Sequence, residues 1–280
     1  MAAAPIVKWV GGKTKLLPEL KKRLPSKWNR YFEPFVGGAA LFFSLEPADA
    51  VLSDMNKDLV DTYREVARDV DAVIDCLRGW QEVHFRQPDK EWMSARYYEA
   101  RQRWNDGMWP SGPSRAAAFL YLNKTCFNGL WRVNKGGRMN VPVGDYTKPN
   151  ILNEDALRAA APVLRRADLQ HGDFDEAAVQ ACPGDLVYFD PPYDPVSKTS
   201  DFTSYTKSDF DKAEQEMLAT RAKHLVEAGV YVMLSNHDTP FIRSLYQGLR
   251  IDTVRCPRAI NSKGDKRGAV DEVIICGGYG

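Results

Sequence analysis

The stretch of sequence that decides the fold is Leu186-Val187-Tyr188-Phe189-Asp190-Pro191-Pro192-Tyr193. Its first half is apolar, which predicts a buried strand, and the tetrapeptide from Asp190 follows the strand directly. Asp190 offers an anionic acceptor, two proline rings fix the direction of the Pro191 carbonyl, and Tyr193 offers a flat face for stacking. Together these groups are suited to hold a planar ring by its exocyclic amine. The alternative is a plain turn, because Asp-Pro and Pro-Pro often occur in loops.

The composition is that of an ordinary globular protein with one large domain, or one domain carrying an insertion. Of 280 residues, 44% are hydrophobic and 27% charged, and no apolar run approaches the length of a membrane span. No basic segment followed by an apolar one opens the sequence, so we expect no secretory signal. The five cysteines are scattered without a C-x-x-C pair, which argues against a disulfide framework and a zinc site. We therefore expect a cytoplasmic protein with no membrane anchor and no metal.

Positive charge is concentrated in three stretches of an otherwise acidic chain. The formal net charge is only +1, yet residues 8–30 hold eight Lys or Arg against Glu19 alone. Residues 115–150 and 258–267 are also net basic. Segregated charge can give a neutral protein a basic face that attracts a polyanion. The alternative is a set of solvated surfaces.

Strand and helix patterns alternate in the first and last parts of the chain. Strands are predicted at 31–35, 50–54, 167–171, 185–189 and 229–235, with two more near 250–255 and 272–276. A long helix is predicted over 208–228, capped by Ser208 or Asp209. The alternation predicts an α/β fold with a parallel sheet. Residues 59–150 interrupt it with helices and a segment at 128–146 that suggests a hairpin or extended loop. We therefore predict one domain from 1–58 and 151–280, and an inserted domain from 59–150.

Polar signals follow the carboxyl ends of several predicted strands. They are Phe35-Val36-Gly37-Gly38, Asp54, Asp173, Asp190 and Asn236. In open α/β sheets, ligands bind at this edge. The coincidence favours a ligand site over a plain turn after Phe189.

Two segments indicate a nucleoside ligand. The turn Glu33–Gly38 is Gly-rich and lets backbone amides approach a ligand, although its spacing is not G-x-G-x-x-G. Asp54 lies where an acid that holds ribose hydroxyls is expected, the alternative being a helix cap. Gly11-Gly12-Lys13 does not satisfy Walker A, because Val7 stands where the first glycine belongs. A cation beside two glycines suits a carboxylate, so the ligand is expected to be a nucleoside that carries a carboxylate and is not a triphosphate.

Taken in order, these motifs resemble those of the Dam-like DNA adenine methyltransferases over nearly the whole chain. The resemblance rests on Lys8–Lys13, Glu33–Gly38, Ser53–Asn56, Asn128–Arg132 with Asn140–Gly144, Gly172–Phe174 and Asp190–Tyr193. It implies a Rossmann-like methyltransferase sheet, mostly parallel with an antiparallel strand near the C-terminus. It also implies that the inserted domain, helical with a β-hairpin, recognises the target. The cofactor implied is S-adenosyl-L-methionine, bound by Trp9, Lys13, Phe35, Gly37, Asp54, Asp173, Phe174 and Asp190.

The same resemblance implies that the insert reads double-stranded DNA at GATC. Arg132 would read guanine in the major groove with a bidentate fork, and Leu130 and Pro142 would touch neighbouring bases. The other DNA contacts implied are Lys8, Phe127, Asn128, Tyr146, Asn261, Lys263 and Arg267. For residues 261–267 the alternative is a solvated turn. The chain departs from the family at Phe127, where Tyr is common, and at Asp145, where the family tends to be basic. These departures bear on affinity and flanking preference more than on the target.

The chemistry implied is methyl transfer to the exocyclic amine of an adenine flipped out of the duplex, with Asp190, Pro191, Pro192 and Tyr193 as catalytic residues. The amine is a poor nucleophile, so acceptors at Asp190 and Pro191 would favour a pyramidal nitrogen while the base stacks on Tyr193. Proton loss can follow the transfer, so no strong base or metal is required. Residues 194–207 are a candidate gate over the base, or a disordered polar loop.

Several alternatives stay open on the sequence alone. The enzyme could methylate another DNA sequence, a cytosine amino group or RNA. The cytosine pattern usually begins with Ser where this chain has Asp190, and a large insert with one Arg reader suits duplex DNA better than splayed RNA bases. A DNA-binding module whose chemistry has decayed is disfavoured by the intact Lys13, Asp54, Asp190 and Tyr193. We expect a monomer, and a solitary, phage or restriction-modification role is compatible with the sequence.

Overall fold

The computed structural model describes residues 2–87, 89–195, 210–256 and 270–280. Its helices are α1 (Leu17–Lys21), α2 (Ala40–Leu45), α3 (Lys57–Arg68), α4 (Val70–His84), α5 (Lys90–Asn105), α6 (Pro113–Thr125), α7 (Glu154–Leu164), α8 (Phe174–Ala178), α9 (Lys212–Glu227) and α10 (Pro240–Leu245), with a 3₁₀ turn at Phe127–Gly129. Its strands are β1 (Tyr31–Glu33), β2 (Ala50–Asp54), β3 (Ala167–His171), β4 (Leu186–Phe189), β5 (Tyr231–His237), β6 (Arg250–Cys256) and β7 (Val270–Gly277).

The strands form a seven-stranded sheet in the order β3-β2-β1-β4-β5-β7-β6. Strand β1 pairs in parallel with both β2 and β4, and β4 pairs in parallel with β5. Strand β7 is antiparallel to both β5 and β6. The predicted α/β fold, mostly parallel with an antiparallel strand near the C-terminus, is therefore confirmed. The strand order reverses between β1 and β4, which is the point where open α/β sheets bind ligands.

By its internal contacts the chain divides into two compact units. The helical unit comprises Met1–Gly12, Gly37–Pro47 and Asp54–His171, and the sheet unit comprises Lys13–Val36, Ala48–Ser53 and Gly172–Gly280. The functional division into 1–58 with 151–280 and 59–150 stays a prediction.

Helix α6 is the centre of the helical unit. Nine of its residues are buried, and it packs against α3, α4 and α5. Small side chains at Ala116, Ala117 and Ala118 let the neighbouring helices approach closely, while Phe119 and Tyr121 fill the space around them. The three neighbours of α6 begin where a polar cap accepts a backbone N–H group, with Asn56 capping α3, Asp69 capping α4 and Asp89 capping α5.

The core of the sheet unit is built on β4 and β5. Every residue of β4 is buried, and Val187 and Phe189 join one apolar cluster with Leu218 of α9 and Leu234 of β5. Burial of the whole strand explains why it reads as an uninterrupted apolar run.

Helix α9 begins later than the sequence suggests. Its cap is Asp211, which forms a capping box with Glu214. The prediction of Ser208 or Asp209 as the cap was therefore wrong, and both residues lie outside the described parts of the chain.

No helix in the described ranges is long and apolar enough to cross a membrane. Within those same residues, no group of three or more His, Cys, Asp or Glu side chains is arranged to hold a metal ion.

Candidate active site and DNA-recognition segment

Asp190 lies at the carboxyl end of β4, in the sheet unit. The ammonium of Lys13 is 2.7 Å from Oδ1 of Asp190, and both side chains are mostly buried. Ser235 of β5 donates to the same oxygen at 2.9 Å. The hydroxyl of Tyr188 is 2.9 Å from Oγ of Ser235. Because Ser235 has a single proton, which goes to Asp190, Tyr188 is the donor in that pair. A buried chain of hydrogen bonds thus ends on one oxygen of Asp190.

The charge of Asp190 is set by opposing effects. Burial raises the pKa of its carboxyl group, while the charge of Lys13 and the hydrogen bonds from Lys13 and Ser235 lower it. The ion pair therefore keeps available the anionic form that burial disfavours.

Two acceptors in this cluster are left without a partner in the described parts of the chain. Both contacts to Asp190 are made to Oδ1, so Oδ2 accepts no hydrogen bond from any described residue. The carbonyl of buried Pro191 likewise accepts none, whereas the carbonyl of Pro192 accepts from Gln215 at 2.8 Å. Two neighbouring acceptors that no described residue satisfies, at the end of a buried strand, mark a place where a ligand can donate.

The Tyr193 ring is held from several sides. Its hydroxyl donates to Oε2 of Glu272 at 3.1 Å, and the ring makes an edge-to-face contact with His237 at 4.9 Å between centroids. The Lys13 ammonium lies 4.4 Å from the ring centroid. His237 in turn donates from Nδ1 to the carbonyl of Asp194 at 2.7 Å. These contacts fix a flat aromatic face beside the two acceptors.

Sequence reasoning missed four members of this cluster: Ser235, His237, Glu272 and Gln215. Asn236 was identified at the sheet edge, and it donates to Oε1 of Gln215 at 3.2 Å. Ser235 carried a usable signal, because it is a polar residue inside an apolar strand and is fully buried. Gln215 and Glu272 carried none, since polar residues in helices and near strand ends are common.

Phe35 and Phe174 stack on one another in the sheet unit, 5.3 Å apart between ring centroids. Phe210 meets Phe35 edge-on at the same distance. Asp173 caps α8 by accepting from the backbone of Asp175 at 2.9 Å. The Asp173 side chain thus caps a helix, a structural role that was not predicted from the sequence. Its role in cofactor binding stays a prediction.

In the helical unit, Asp54 organises the Gly-rich turn. Its Oδ2 accepts from the backbone of Gly37 at 3.0 Å, and its Oδ1 accepts from Asn56 at 2.9 Å. Burial raises the pKa of Asp54, and the two backbone hydrogen bonds oppose that rise. The helix cap is Asn56 and not Asp54, since Asn56 accepts from Leu59 at 3.0 Å. The alternative interpretation of Asp54 as a helix cap is therefore wrong.

Trp9 covers the glycine of this turn. Gly37 has φ +43°, and a Cβ placed there would lie 2.7 Å from Cδ1 of Trp9. Only glycine permits both the backbone angle and the approach of the indole.

Gly37→Ala is therefore expected to displace Trp9 and to lower at least tenfold the affinity for the cofactor that the motifs imply, S-adenosylmethionine, measured by calorimetry. The matched control is Gly79→Ala in α4, where an added Cβ meets nothing within 4 Å. That change should leave cofactor affinity unaltered and raise stability by about 0.5–1 kcal/mol, because alanine favours helix. Equal cofactor affinity in both variants would refute a role for the Trp9–Gly37 contact.

The predicted hairpin doubles back as expected, but it forms two isolated antiparallel bridges and no strand in the described ranges. The bridges join Cys126 to Val143 and Val133 to Met139. Phe127 donates from its backbone to the carbonyl of Pro142 at 2.9 Å. The turn at the tip is closed by Asn134, whose side chain accepts from Gly136 and Arg138. We call residues 126–146 the recognition segment.

The predicted DNA-contacting residues of the helical unit lie on this segment or against it. Phe127, Asn128 and Pro142 are exposed, and Leu130, Arg132 and Tyr146 are half-buried. Nε of Arg132 donates to Oδ1 of Asn140 across the hairpin at 2.7 Å, which orients the guanidinium plane. The Lys8 ammonium lies 4.0 Å from the centroid of the Tyr146 ring. Asn261, Lys263 and Arg267, and the candidate gate beyond Pro195, lie outside the described residues.

Asp145, which departs from the basic character of the family, is paired. Lys90 of α5 lies 2.6 Å from its carboxylate, and both side chains are exposed. The hydrogen bond and charge of Lys90 lower the pKa of Asp145. The negative charge of Asp145 is thus balanced by the positive charge of Lys90.

The sheet order, the Gly-rich turn and the polar tetrapeptide after β4 together define a Rossmann-like methyltransferase. A family model described as D12 class N6 adenine-specific DNA methyltransferase matches residues 9–260. The chain belongs to this family, and it is therefore an adenine-specific DNA methyltransferase, as the motifs predicted.

Individual relatives agree with the family. The type II methyltransferase M.MjaIII of Methanocaldococcus jannaschii is 40% identical over 278 residues, covering 95% of this chain and 96% of the relative. The type II methyltransferase M1.LlaDCHI of Lactococcus lactis subsp. cremoris is 38% identical over 275 residues, covering 97% of this chain and 94% of the relative. The DNA adenine methylase of Escherichia coli K12 is 35% identical over 268 residues, covering 96% of this chain and 93% of the relative.

Proposed function

We propose that this chain transfers a methyl group from S-adenosyl-L-methionine to the exocyclic amine of an adenine flipped out of duplex DNA, within GATC. The observation that carries the proposal is the pair of unpartnered acceptors at Asp190 Oδ2 and the Pro191 carbonyl, beside the face of Tyr193. An adenine amine has two N–H groups, one for each acceptor.

The chain's residues fit this cofactor. In the helical unit, Trp9 and Gly37 form a cradle that a Cβ would fill, and half-buried Asp54 suits ribose hydroxyls. In the sheet unit we assign Lys13, Phe35, Asp173, Phe174 and Asp190 to cofactor binding. When bound, S-adenosylmethionine supplies an electrophilic methyl group on a sulfonium.

The role of the tetrapeptide is to hold the adenine and to prepare its nitrogen. Asp190 and the Pro191 carbonyl accept hydrogen bonds from the two N–H groups of the amine, which favours a pyramidal nitrogen with its lone pair directed out of conjugation with the ring. Pro192 fixes the turn through the hydrogen bond from Gln215, and Tyr193 stacks on the base. Extracting the base from the duplex costs a few kcal/mol, which stacking on Tyr193 offsets in part. Ser235 and Lys13 keep Asp190 ionised and oriented throughout.

The contribution of Lys13 is measurable in the pH profile. Lys13→Met removes the charge that opposes burial, so the pKa of Asp190 rises further above its ordinary value. The anionic form is lost as pH falls through this pKa, and the acidic limb of kcat at saturating cofactor is therefore expected to move to higher pH. Lys15→Met, at an exposed position two residues away, is the control. An acidic limb at the same pH in both variants would contradict the assignment.

The recognition segment is proposed to read the target. Arg132 is assigned to guanine, Leu130 and Pro142 to neighbouring bases, and Phe127 to insertion into the base stack. We assign backbone contacts to Lys8, Asn128, Tyr146, Asn261, Lys263 and Arg267. GATC is supported by the likeness of Asn128–Arg132 and Asn140–Gly144 to the Dam-like motifs.

A second candidate is methylation of adenine in a different DNA sequence. It stays a candidate because two relatives of comparable identity are named as type II methyltransferases, a name that specifies no GATC target. The similarity to type II methyltransferases also supports a role in a restriction-modification system, whichever sequence is the target.

The test is the initial rate of labelled methyl transfer to two duplexes that differ only by one base pair of a single GATC. We expect the unaltered duplex alone to be labelled at an appreciable rate. Equal labelling of both would leave the transfer chemistry standing and refute GATC as the target. Absence of label in both, with cofactor binding intact by calorimetry, would direct the search to other DNA sequences.

A further inference from the structure

Asn123 is a fully buried polar side chain in α6 that joins the N-terminal segment to the recognition segment. Its Oδ1 accepts from the backbone of Lys8 at 2.8 Å, and its Nδ2 donates to the Lys8 carbonyl at 2.8 Å. The same Nδ2 donates to the Gly129 carbonyl at 3.3 Å. The side-chain amide of Asn123 therefore binds the backbone N–H and carbonyl of Lys8 and the carbonyl of Gly129 in the recognition segment.

Packing reinforces these hydrogen bonds. Gly129 has φ +67°, and a Cβ there would lie 2.3 Å from Cβ of Lys8, so the two backbones approach as closely as only glycine permits. The far end of Lys8 lies over the Tyr146 ring, at the other end of the recognition segment. Lys8 is thus anchored at its backbone by Asn123 and at its tip by Tyr146.

We propose that Asn123 is a positioning residue for DNA recognition, fixing Lys8 and the Phe127–Leu130 turn in one register so that both meet the duplex together. The inference rests on the proposed function, in which Lys8 and the recognition segment contact DNA. Asn123 acts through Lys8 and Gly129 and touches no substrate itself.

A merely structural role makes a different prediction. If Asn123 only stabilised α6, its loss would lower the melting temperature without changing how the protein discriminates between DNA sequences. Thr125 provides the matched control, because it is equally buried two residues further on and donates only within its own helix, to the Tyr121 carbonyl. Thr125→Val removes that hydrogen bond while keeping the shape of the side chain.

The test is a double-mutant cycle on equilibrium DNA affinity, measured by fluorescence anisotropy with Lys8→Ala, Asn123→Ala and the double variant. Because Asn123 acts through Lys8, we expect the double variant to bind no more than about twofold more weakly than the weaker single variant, since coupled residues are non-additive. Asn123→Ala should also lower the ratio of affinities for the GATC duplex and its single-pair variant at least tenfold. Asn123→Asp turns both donations into contacts between a buried carboxylate oxygen and a carbonyl oxygen, so it should lower the ratio at least as far as Asn123→Ala.

Additive effects in the cycle, or a ratio in Asn123→Ala equal to that of Thr125→Val at a similar melting temperature, would overturn the proposal. Equal binding of both duplexes by the unmodified protein would instead refute the GATC assignment. The cycle would still decide the role of Asn123, because it uses total DNA affinity.

Discussion

Replacing Asp190 with Asn is expected to lower kcat for methyl transfer by about 10²- to 10³-fold, the usual cost of removing one preorganised electrostatic group from an active site. Asparagine keeps the shape of the side chain, but it removes the charge that pairs with Lys13 and that we propose faces the amine. Single-turnover rates with saturating DNA and cofactor measure the effect on the chemical step, separately from product release.

Asp185 supplies the matched control at the opposite end of the same strand. It is buried and accepts from the backbone of Arg30 at 3.0 Å and of Cys182 at 2.8 Å, so its partners are structural. Asp185→Asn should cost about 1–3 kcal/mol of folding stability, the usual price of an unsatisfied buried group, and leave kcat unchanged. If Asp190→Asn kept a near-normal rate, or both variants lost activity only in proportion to stability, Asp190 would not be the catalytic acceptor.

Arg132→Ala is expected to reduce discrimination between the GATC duplex and its single-pair variants at the guanine that we propose Arg132 reads. A bidentate contact to guanine is worth about 1–3 kcal/mol, which corresponds to a loss of roughly 5- to 150-fold in the ratio of kcat/KM values. The effect should fall on one base pair, because the Asn140 hydrogen bond orients a single guanidinium plane.

Arg138 in the same hairpin is the control for a general loss of positive charge. It is exposed and pairs with Asp106 at 3.1 Å. Arg138→Ala is expected to change affinity for all duplexes alike, with the discrimination ratio retained. A uniform loss of affinity in Arg132→Ala as well would place Arg132 on the DNA backbone and leave the reader of guanine to be found.

The fold was predictable from the sequence because its signals are local. The apolar run before Asp190 predicted β4, and strand 50–54 was placed to the residue. The start of α9 could not be placed from the sequence, because three residues there can each cap a helix: Ser208, Asp209 and Asp211. Only the capping box with Glu214 selects Asp211. The hairpin was recognised by its turn residues, but the pattern did not show that its pairing is limited to two isolated bridges.

The residues that support the candidate site were harder to predict, because their partners are distant in sequence. Ser235 reaches Asp190 across 45 positions, Tyr193 reaches Glu272 across 79, and Asn123 reaches Lys8 across 115. A motif shows which residues could contact a substrate. The buried hydrogen bonds that orient those residues depend on strand order and helix packing, which no short stretch of sequence contains.

The most direct test of the central claim is the identity of the methylated nucleoside. A GATC duplex would be incubated with the protein and methyl-labelled S-adenosylmethionine, digested to nucleosides and separated by chromatography with mass detection. The acceptor pair at Asp190 and Pro191 predicts that all label is found in N6-methyldeoxyadenosine. Label in N4-methyldeoxycytidine, or at a ring position of adenine, would contradict the account.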